Sequence, residues 1–354
     1  MRVGLVCPYS LTVPGGVQGQ VLGLARSLRT LGHSVQVLAP CDGAPPDVGV
    51  TPLGRSVPVA ANGSIAPLAP DPAAALRTIR ALRDEDFDVV HLHEPVAPGP
   101  SLTALLFASA WRVGTFHRQG SGLDYRLFGP IAARAARRLD VRCAVSDDAE
   151  ATASHALGGT YERVYNGIEV ERFAKAAPWP TDAPTIFFLG RHEPRKGLDV
   201  LLAAAAELPA DVRIWVGSSG PQTEELKRTA AGDPRIEWLG RISDDERASR
   251  LRGAHVFCAP SRFGESFGMV LLEAMAAQVP IAASALPGYR KVATPSEHAL
   301  LVPPDDPRAL AHAIRRLLTD GSLAERLRTE GAARATEFSM DALAERYVEL
   351  YTRT

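Results

Sequence analysis

The sequence predicts an α/β protein made of two doubly wound, Rossmann-like parallel-sheet domains that face each other across a cleft. Three observations carry that expectation. Short apolar runs alternate with amphipathic helical stretches throughout, the pattern of parallel sheets covered on both faces. The alternation breaks once, after YNGIEVERF, at the Pro-rich and aperiodic KAAPWPTDAPT, and then restarts. A chain of 354 residues with 46% apolar content is long enough for two domains with cores of their own.

The elements follow in order. RVGLVC (2–7) reads as the first strand; the loop VPGGVQGQ and the helix QVLGLARSLRTLG come next, then the strand SVQVLAP (34–40). DVVHLH (88–93), RVGTFH (112–117) and RCAVS (142–146) supply three more strands with helices between them, and Ser146 is a suitable cap for the helix that follows. Beyond the linker, TIFFLG (185–190), VRIWVG (212–217), IEWLG (236–240), HVFCAP (255–260), PIAAS (280–284) and HALLVP (298–303) repeat the pattern. The final helix, MDALAERYVELYTR, is amphipathic and is expected to pack back on the first domain. The division expected is therefore 1–168, joined by 338–354, and 169–337. Ligands of open α/β sheets lie outside the carboxyl ends of the strands, so two such domains suit a reaction with two substrates, one held by each.

Composition narrows the function. A formal net charge of -1 argues against a nucleic-acid partner, which leaves a basic excess. Cys7, Cys41, Cys143 and Cys258 are widely spaced and form neither a zinc pattern nor a disulfide framework, so they are expected as buried, reduced thiols of a cytoplasmic protein. No run approaches the roughly 18 apolar residues of a membrane span, and Pro8 breaks the N-terminal one.

Four stretches carry chemistry. In SRFGESFGMVLLEAMA (261–276) a strand exits through a loop into a helix expected to begin at Phe267, so that the amides of Phe267, Gly268, Met269 and Val270 form an anion site at the positive end of a helix dipole. Glu265 precedes it and Glu273 lies about two turns in. Carboxylates so placed suit vicinal sugar hydroxyls, although a dipole-complementing acid and a solvated helix residue explain them equally well. In LGRHEPRKGLDVL (189–201), Arg191 and Lys196 are two cations on a Pro-containing turn at a strand end. They are placed either to neutralise a departing diphosphate or to form a solvated basic turn. In VPGGVQGQV (13–21) neither the dinucleotide nor the P-loop fingerprint is present. Gly15 and Gly16 remain as a tight turn or a backbone that a ligand can approach closely. His117 and His93-Glu94 end strands on the ligand side, where a histidine can orient a sugar hydroxyl. His91 and His93 share a strand face, and a packed or hydrogen-bonded pair is favoured over a metal site.

Taken together, V-P-G-G-V, T-F-H, N-G-I, L-G-R-x-x-x-R-K-G, V-G-x-x-G-P and E-S-F-G-M-V-L-L-E-A-M-A resemble the family 4 retaining glycosyltransferases of the GT-B fold over nearly the whole chain. Within that family VCPYSLTVPGGVQGQVLGLA, APCDG, ANGSIAPL, FDVVHLHEP and GESFGMVLLEAMAA are most similar to the actinobacterial phosphatidylinositol mannosyltransferases. The resemblance implies a nucleotide-sugar donor, GDP-mannose, transfer with retention, and neither a cofactor nor a metal. It implies that Arg191 and Lys196 hold the donor diphosphate near Gly15, Gly16, Gly190 and Gly217. Glu265 would contact the transferred sugar and Glu273 the ribose, with Ile242 by the base and Phe267, Gly268, Met269 and Val270 completing the cradle. His117 would sit against the sugar, and Tyr9, Gln18, Asn62, Ser64 and Arg118 would face an inositol-type or other polyol acceptor.

The chain departs from that subfamily at Val13, near Pro67 and in RQGSGLD, and its helix LRTIRALR offers only Arg77, Arg80 and Arg83 beside Leu76, Ile79 and Leu82. That helix either touches anionic lipid at the inner face of the plasma membrane or is a solvated face. These departures keep a UDP-sugar transferase acting on a soluble aminocyclitol as one alternative. A non-catalytic nucleotide-binding module is the other, against which Arg191, Lys196 and Glu265 count.

Overall fold

The computed structural model describes residues 1–13, 15–61, 64–118 and 123–353. Two compact units are present: Met1–Gly167 with Met340–Thr354, and Ile168–Ser339.

In the first unit β1 (Arg2–Val6), β2 (Ser34–Ala39), β3 (Val50–Pro52), β6 (Val89–His93), β7 (Trp111–Phe116), β8 (Val141–Ala144) and β9 (Glu162–Arg163) form one parallel sheet. Their spatial order is β3-β2-β1-β6-β7-β8-β9. β4 (Val57–Ala61) and β5 (Ser64–Leu68) form a separate antiparallel hairpin. Period-two alternation explains why the strands are apolar throughout. Val3, Leu5 and Val37 pack on one face with the helix Gly16–Thr30, while Val6, Leu38, Val90 and Leu92 pack on the other with Ala104 and Leu105 of the helix Pro100–Phe107.

The second unit repeats the wind with β10 (Thr185–Leu189), β11 (Arg213–Gly217), β12 (Ile236–Gly240), β13 (Val256–Ala259), β14 (Ile281–Ser284) and β15 (Leu300–Val302), ordered β12-β11-β10-β13-β14-β15. Ile186, Phe188, Ile214, Val216 and Val256 form one buried face with residues of the helices Leu198–Ala204 and Pro307–Thr319. On the other, Phe187 meets Trp215 and Phe257 edge-on at 6.3 and 6.1 Å between ring centroids. In each sheet the strand order reverses beside the first strand, at β1 and β6 and at β10 and β13. Loops leaving the two strands in opposite directions open a crevice there.

All eleven strands read from the sequence are present, several ending one or two residues earlier than expected. The structure adds β3, β9 and the hairpin. The first two have only three and two residues, and the hairpin opposes Pro58 to Pro67, so none carries the alternation that marks a strand. The first helix starts at Gly16 rather than Gln20. Ser146 does cap its helix, accepting from Ala149 N at 3.1 Å. The four cysteines are buried and unbridged. Among the described residues no helix is long and apolar enough to cross a membrane.

The last helix, Met340–Tyr351, packs in the first unit against the helix Gly16–Thr30 and reaches β7. Gly23 lets it approach, because a Cβ there would lie 2.7 Å from Met340 Cε. The helix also delivers two phenols to the sheet: Tyr351 Oη lies 2.7 Å from His91 Nδ1, and Tyr347 Oη 2.9 Å from Thr115 Oγ1. Thr115 Oγ1 in turn is 2.7 Å from His91 Nε2. Burial holds His91 neutral, pushing its pKa down to about 3, and holds that of His93 well below the usual imidazole range. The unfolded chain therefore binds protons that the native one refuses, and stability must fall as pH drops below about 6.5. We expect the urea midpoint of the first unit, followed through Trp111, to fall between pH 7 and pH 5. The expected slope approaches about 1.4 kcal/mol per pH unit for each of these histidines. A midpoint that stays level across that range would show that the rings are not buried neutral.

Candidate active site

Each unit gathers its own set of predicted residues at the carboxyl end of its sheet. In the second unit the loops after β10 and β13 meet. Lys196 ends a short turn, Pro194–Lys196, that closes through Gly197 in the left-handed region, φ 65°. A side chain at Gly197 would strike Pro260 O at 2.0 Å, so only glycine lets the two loops come this close. Lys196 Nζ then donates to Glu265 Oε1 at 2.5 Å, and the side chains are only 15% and 11% exposed. The stem of Lys196 lies over Gly190, where a Cβ would be 3.6 Å from Lys196 Cδ.

Glu265 Oε1 also accepts from Ser261 Oγ at 2.9 Å, and Ser261 Oγ is 3.0 Å from the buried Tyr289 hydroxyl. Arg195 Nη1 is 3.6 Å from the same carboxylate oxygen, and Arg195 Nε is 2.6 Å from Glu193 Oε1. Among the described residues the contacts of Glu265 with Lys196, Ser261 and Arg195 all fall on Oε1, which leaves Oε2 as the oxygen for a ligand hydroxyl. Lys196 is thus already matched by an anion and is not part of a solvated basic turn. Arg191 is 64% exposed, with Nε 3.9 Å from Glu193 Oε2, so it is not fixed at the turn.

The helix after β13 also departs from expectation. It spans Met269–Ala276, because Gly268 takes φ 95° at its N-cap. Of the four amides expected in its first turn, only those of Met269 and Val270 belong to it. Leu271 N turns back to Gly268 O at 2.9 Å. Phe267 is buried, edge-on to Phe338 at 5.5 Å between centroids. Glu273 is not a solvated residue: burial pushes its carboxyl above the ordinary range while the nearby Arg247 pulls the other way. Arg247 Nη1 reaches Glu273 Oε1 at 3.3 Å, and Oε2 is buried with no hydrogen-bond partner among the described residues. A buried carboxylate oxygen left open is what a ligand hydroxyl would satisfy. Gly217 ends β11, and Ile242 is half-buried in the loop after β12.

In the first unit the loop after β1 and the hairpin meet through a backbone bridge between Tyr9 and Leu68, with Ser10 N donating to Pro67 O at 2.9 Å. Gly15 precedes the helix in extended backbone and Gly16 begins it. Gln18, expected to face an acceptor, is turned inward. It is buried, and its Nε2 donates to Val13 O at 3.1 Å, holding its own loop. Ser64 opens β5, Arg118 is half-buried after His117, and Asn62 lies outside the described residues.

His117 is half-buried at the end of β7. Its Nε2 is 2.9 Å from His93 Nδ1, and its backbone N donates to Glu94 Oε1 at 2.6 Å. His91 and His93 are stacked, 4.5 Å between centroids. The pair is thus packed and hydrogen-bonded, and among the described residues no group of three or more His, Cys, Asp or Glu side chains gathers to hold a metal ion.

Sequence reasoning missed Ser261, Tyr289, Arg195 and Arg247. Arg195 and Ser261 stood inside motifs already singled out. Tyr289 and Arg247 have no local signal, being brought to the carboxylates only by the fold.

Two glycines of the site are expected to respond differently to alanine. Gly268→Ala places a Cβ on a positive-φ backbone and 3.0 Å from both Tyr289 and Val292. It should cost about 1–3 kcal/mol. Gly16→Ala meets nothing within 4 Å. At the first helical position it should leave stability within about 0.5 kcal/mol. Urea titration of both variants checks the contrast.

Comparison with known proteins agrees with this architecture. The profile of Glycosyltransferase Family 4 matches residues 14–172, and that of Glycosyl transferases group 1 matches residues 183–320. The chain is 41% identical to the phosphatidyl-myo-inositol mannosyltransferase of Mycobacterium leprae, covering 99% of this chain and 96% of that protein. It is 42% identical to the Mycolicibacterium smegmatis protein of the same name, covering 95% and 89%. The D-inositol 3-phosphate glycosyltransferase of Xylanimonas cellulosilytica is 27% identical, over 96% and 92%. Among solved structures, sucrose-phosphate synthase of Thermosynechococcus elongatus superposes with a TM-score of 0.72 at 21% identity, covering 99% and 98%. Anabaena HepE in complex with UDP-glucose superposes at 0.73 and 18%, over the full length of both chains. With two reversed parallel sheets and matches over both of them, the chain belongs to the family 4 glycosyltransferases and has their GT-B fold.

Proposed function

We propose that this glycosyltransferase moves mannose from GDP-mannose, with retention and without a metal, to a hydroxyl of an inositol-type acceptor that is lipid-linked. The observation that carries the reading is the Lys196–Glu265 contact, with Glu265 Oε2 left open beside a helix start. Identity of 41% over nearly the full length of a named phosphatidyl-myo-inositol mannosyltransferase supports the choice of sugar and acceptor.

In this reading the second unit holds the donor. Arg191 and Lys196 take the diphosphate together with the Met269 and Val270 amides, and Gly16 lies near it. Glu265 binds a hydroxyl of the transferred sugar, Glu273 the ribose, and Ile242 lies by the base. The first unit holds the acceptor through Tyr9, Asn62, Ser64 and Arg118, with Gln18 shaping their loop, and His117 faces the sugar. Displacement proceeds on one face. The bond from the anomeric carbon to the diphosphate oxygen breaks toward the cations, the acceptor oxygen bonds to that carbon from the same side, and the leaving phosphate takes the acceptor proton. No side chain is needed as nucleophile, since Lys196, already held in place by Glu265, and the helix-start amides supply the stabilisation where negative charge builds.

The helix Pro72–Glu85 would meet an anionic membrane through Arg77, Arg80, Arg83 and the 68% exposed Leu76. One observation favours a second reading with a soluble polyol or aminocyclitol acceptor and a UDP-sugar donor. Arg77 Nε donates to Leu53 O at 2.6 Å, and Arg80 pairs with Asp84 at 3.2 Å, so two of the three cations are already engaged.

Nucleotide release from a panel of GDP- and UDP-sugars, with phosphatidylinositol vesicles or free inositol as acceptor, separates the two readings. GDP release that needs vesicles supports the first, and UDP release with a soluble acceptor supports the second. Tight nucleotide binding with no release from any sugar would sink both. A chelator is expected to leave the rate unchanged. Lys196→Ala is expected to keep the fold and to lower kcat on the order of 10²–10³-fold, the loss seen when one preorganised donor is removed. Near-normal turnover in that variant would remove Lys196 from the leaving-group role.

A further inference from the structure

His93 and His117 end the neighbouring strands β6 and β7, with rings 5.1 Å apart and 23° from parallel. His93 Nδ1 and His117 Nε2 are 2.9 Å apart. A contact of that length between two imidazole nitrogens holds one proton, since two lone pairs would repel and two N–H groups would collide. Both rings are neutral, because burial depresses both. A neutral imidazole carries its single N–H on one nitrogen or the other, so the proton in the contact decides the tautomer of both rings.

The far side of His93 decides which ring owns that proton. His93 is 2% exposed and lies against His91, and its Nε2 is buried with no hydrogen-bond partner among the described residues. If His117 Nε2 carried the proton, His93 would bear its own N–H at Nε2, an orphaned buried donor. If His93 Nδ1 carries it, the orphan is only an unused lone pair. Orphaned buried N–H groups are the rarer of the two in native proteins. His93 Nδ1–H therefore donates to His117 Nε2. His117 is left with its proton on Nδ1, which no described residue binds. The Glu94 carboxylate, holding the His117 backbone at 2.6 Å, fixes the strand end from which the ring projects.

We propose that His93 is a positioning residue that locks His117 as its Nδ1–H tautomer, so that His117 offers the bound sugar a hydrogen-bond donor and not a base. This rests on the sugar-facing role of His117 given above. It also accords with transfer in which the acceptor proton goes to the leaving phosphate.

The test starts with the unmodified full chain. Two-bond ¹H–¹⁵N correlation of ¹⁵N-histidine-labelled protein reads the tautomer directly, the signals being assigned by their loss in His93→Phe and His117→Phe. A protonated Nδ1 and bare Nε2 on His117 are expected, and the opposite tautomer overturns the proposal without any activity measurement. His93→Phe keeps a ring in the stack and removes the donor. It should lower kcat by about 10- to 100-fold while KM for the nucleotide sugar moves by less than about threefold. His93→Asn, whose amide nitrogen reaches the place of Nδ1, should recover most of that loss. Unchanged kcat in the folded His93→Phe protein overturns the positioning role. A fully active His117→Phe enzyme would instead overturn the sugar-facing role of His117, leaving the tautomer result standing, so the two failures are distinguishable.

Discussion

Lys196 and Glu265 can touch only because β10 and β13 lie side by side where the strand order of the second sheet reverses. Their loops leave the sheet in opposite directions, and Gly197 allows the first to press against Pro260. A cation and an anion so little exposed each depend on the other, since removing one would leave a desolvated charge. That dependence pre-positions both groups before any substrate arrives. In the function proposed above, an incoming diphosphate would share a cation already in place, and one carboxylate oxygen would remain for a hydroxyl. Ser261 and Tyr289 extend the same constraint into the core, so the geometry of the carboxylate is tied to buried packing and not to a mobile loop.

The first unit solves a similar problem with neutral groups. His91 stacks on the strand-end His93, and the hydrogen bonds of His91 run directly to Tyr351 and through Thr115 to Tyr347 of the last helix. Residues 347 and 351 thus order side chains more than 200 positions earlier. The helix that closes the chain supports the strand ends as well as filling space in the core. Burial keeps the ladder uncharged, and an uncharged ladder can fix proton positions without the desolvation cost of an ion.

The two carboxylates of the second unit differ for a physical reason. Glu265 collects a lysine, a serine and the approach of an arginine on one oxygen. Glu273 has a single, longer contact with Arg247 and a bare buried oxygen. The first has its contacts gathered on one oxygen, which leaves a defined edge. The second is raised by desolvation and gains most from a partner that fills its open position. Both acids lie in a stretch that the sequence marks strongly, yet apart from Ser261 the residues that set their separate environments lie outside it.

The sequence by itself determined the two parallel sheets, their strands and the loops that bear the site. Those features are written in local periodicity, in glycine and proline, and in motif spacing. It missed β3, β9 and the hairpin, which are too short or too rich in proline to carry a pattern. It placed the Met269 helix two residues early, because the left-handed turn at Gly268 depends on packing against Tyr289 and Val292. Only the tertiary structure decided that Lys196 is already paired, that Gln18 serves its own loop, and that Glu273 is desolvated. It also decided that the rings of His93 and His117 are hydrogen-bonded to each other. Gln18 is held within its own loop, but the others are settled by neighbours distant in the chain, and burial and partner choice are properties of that assembled surrounding, which no local window of residues contains.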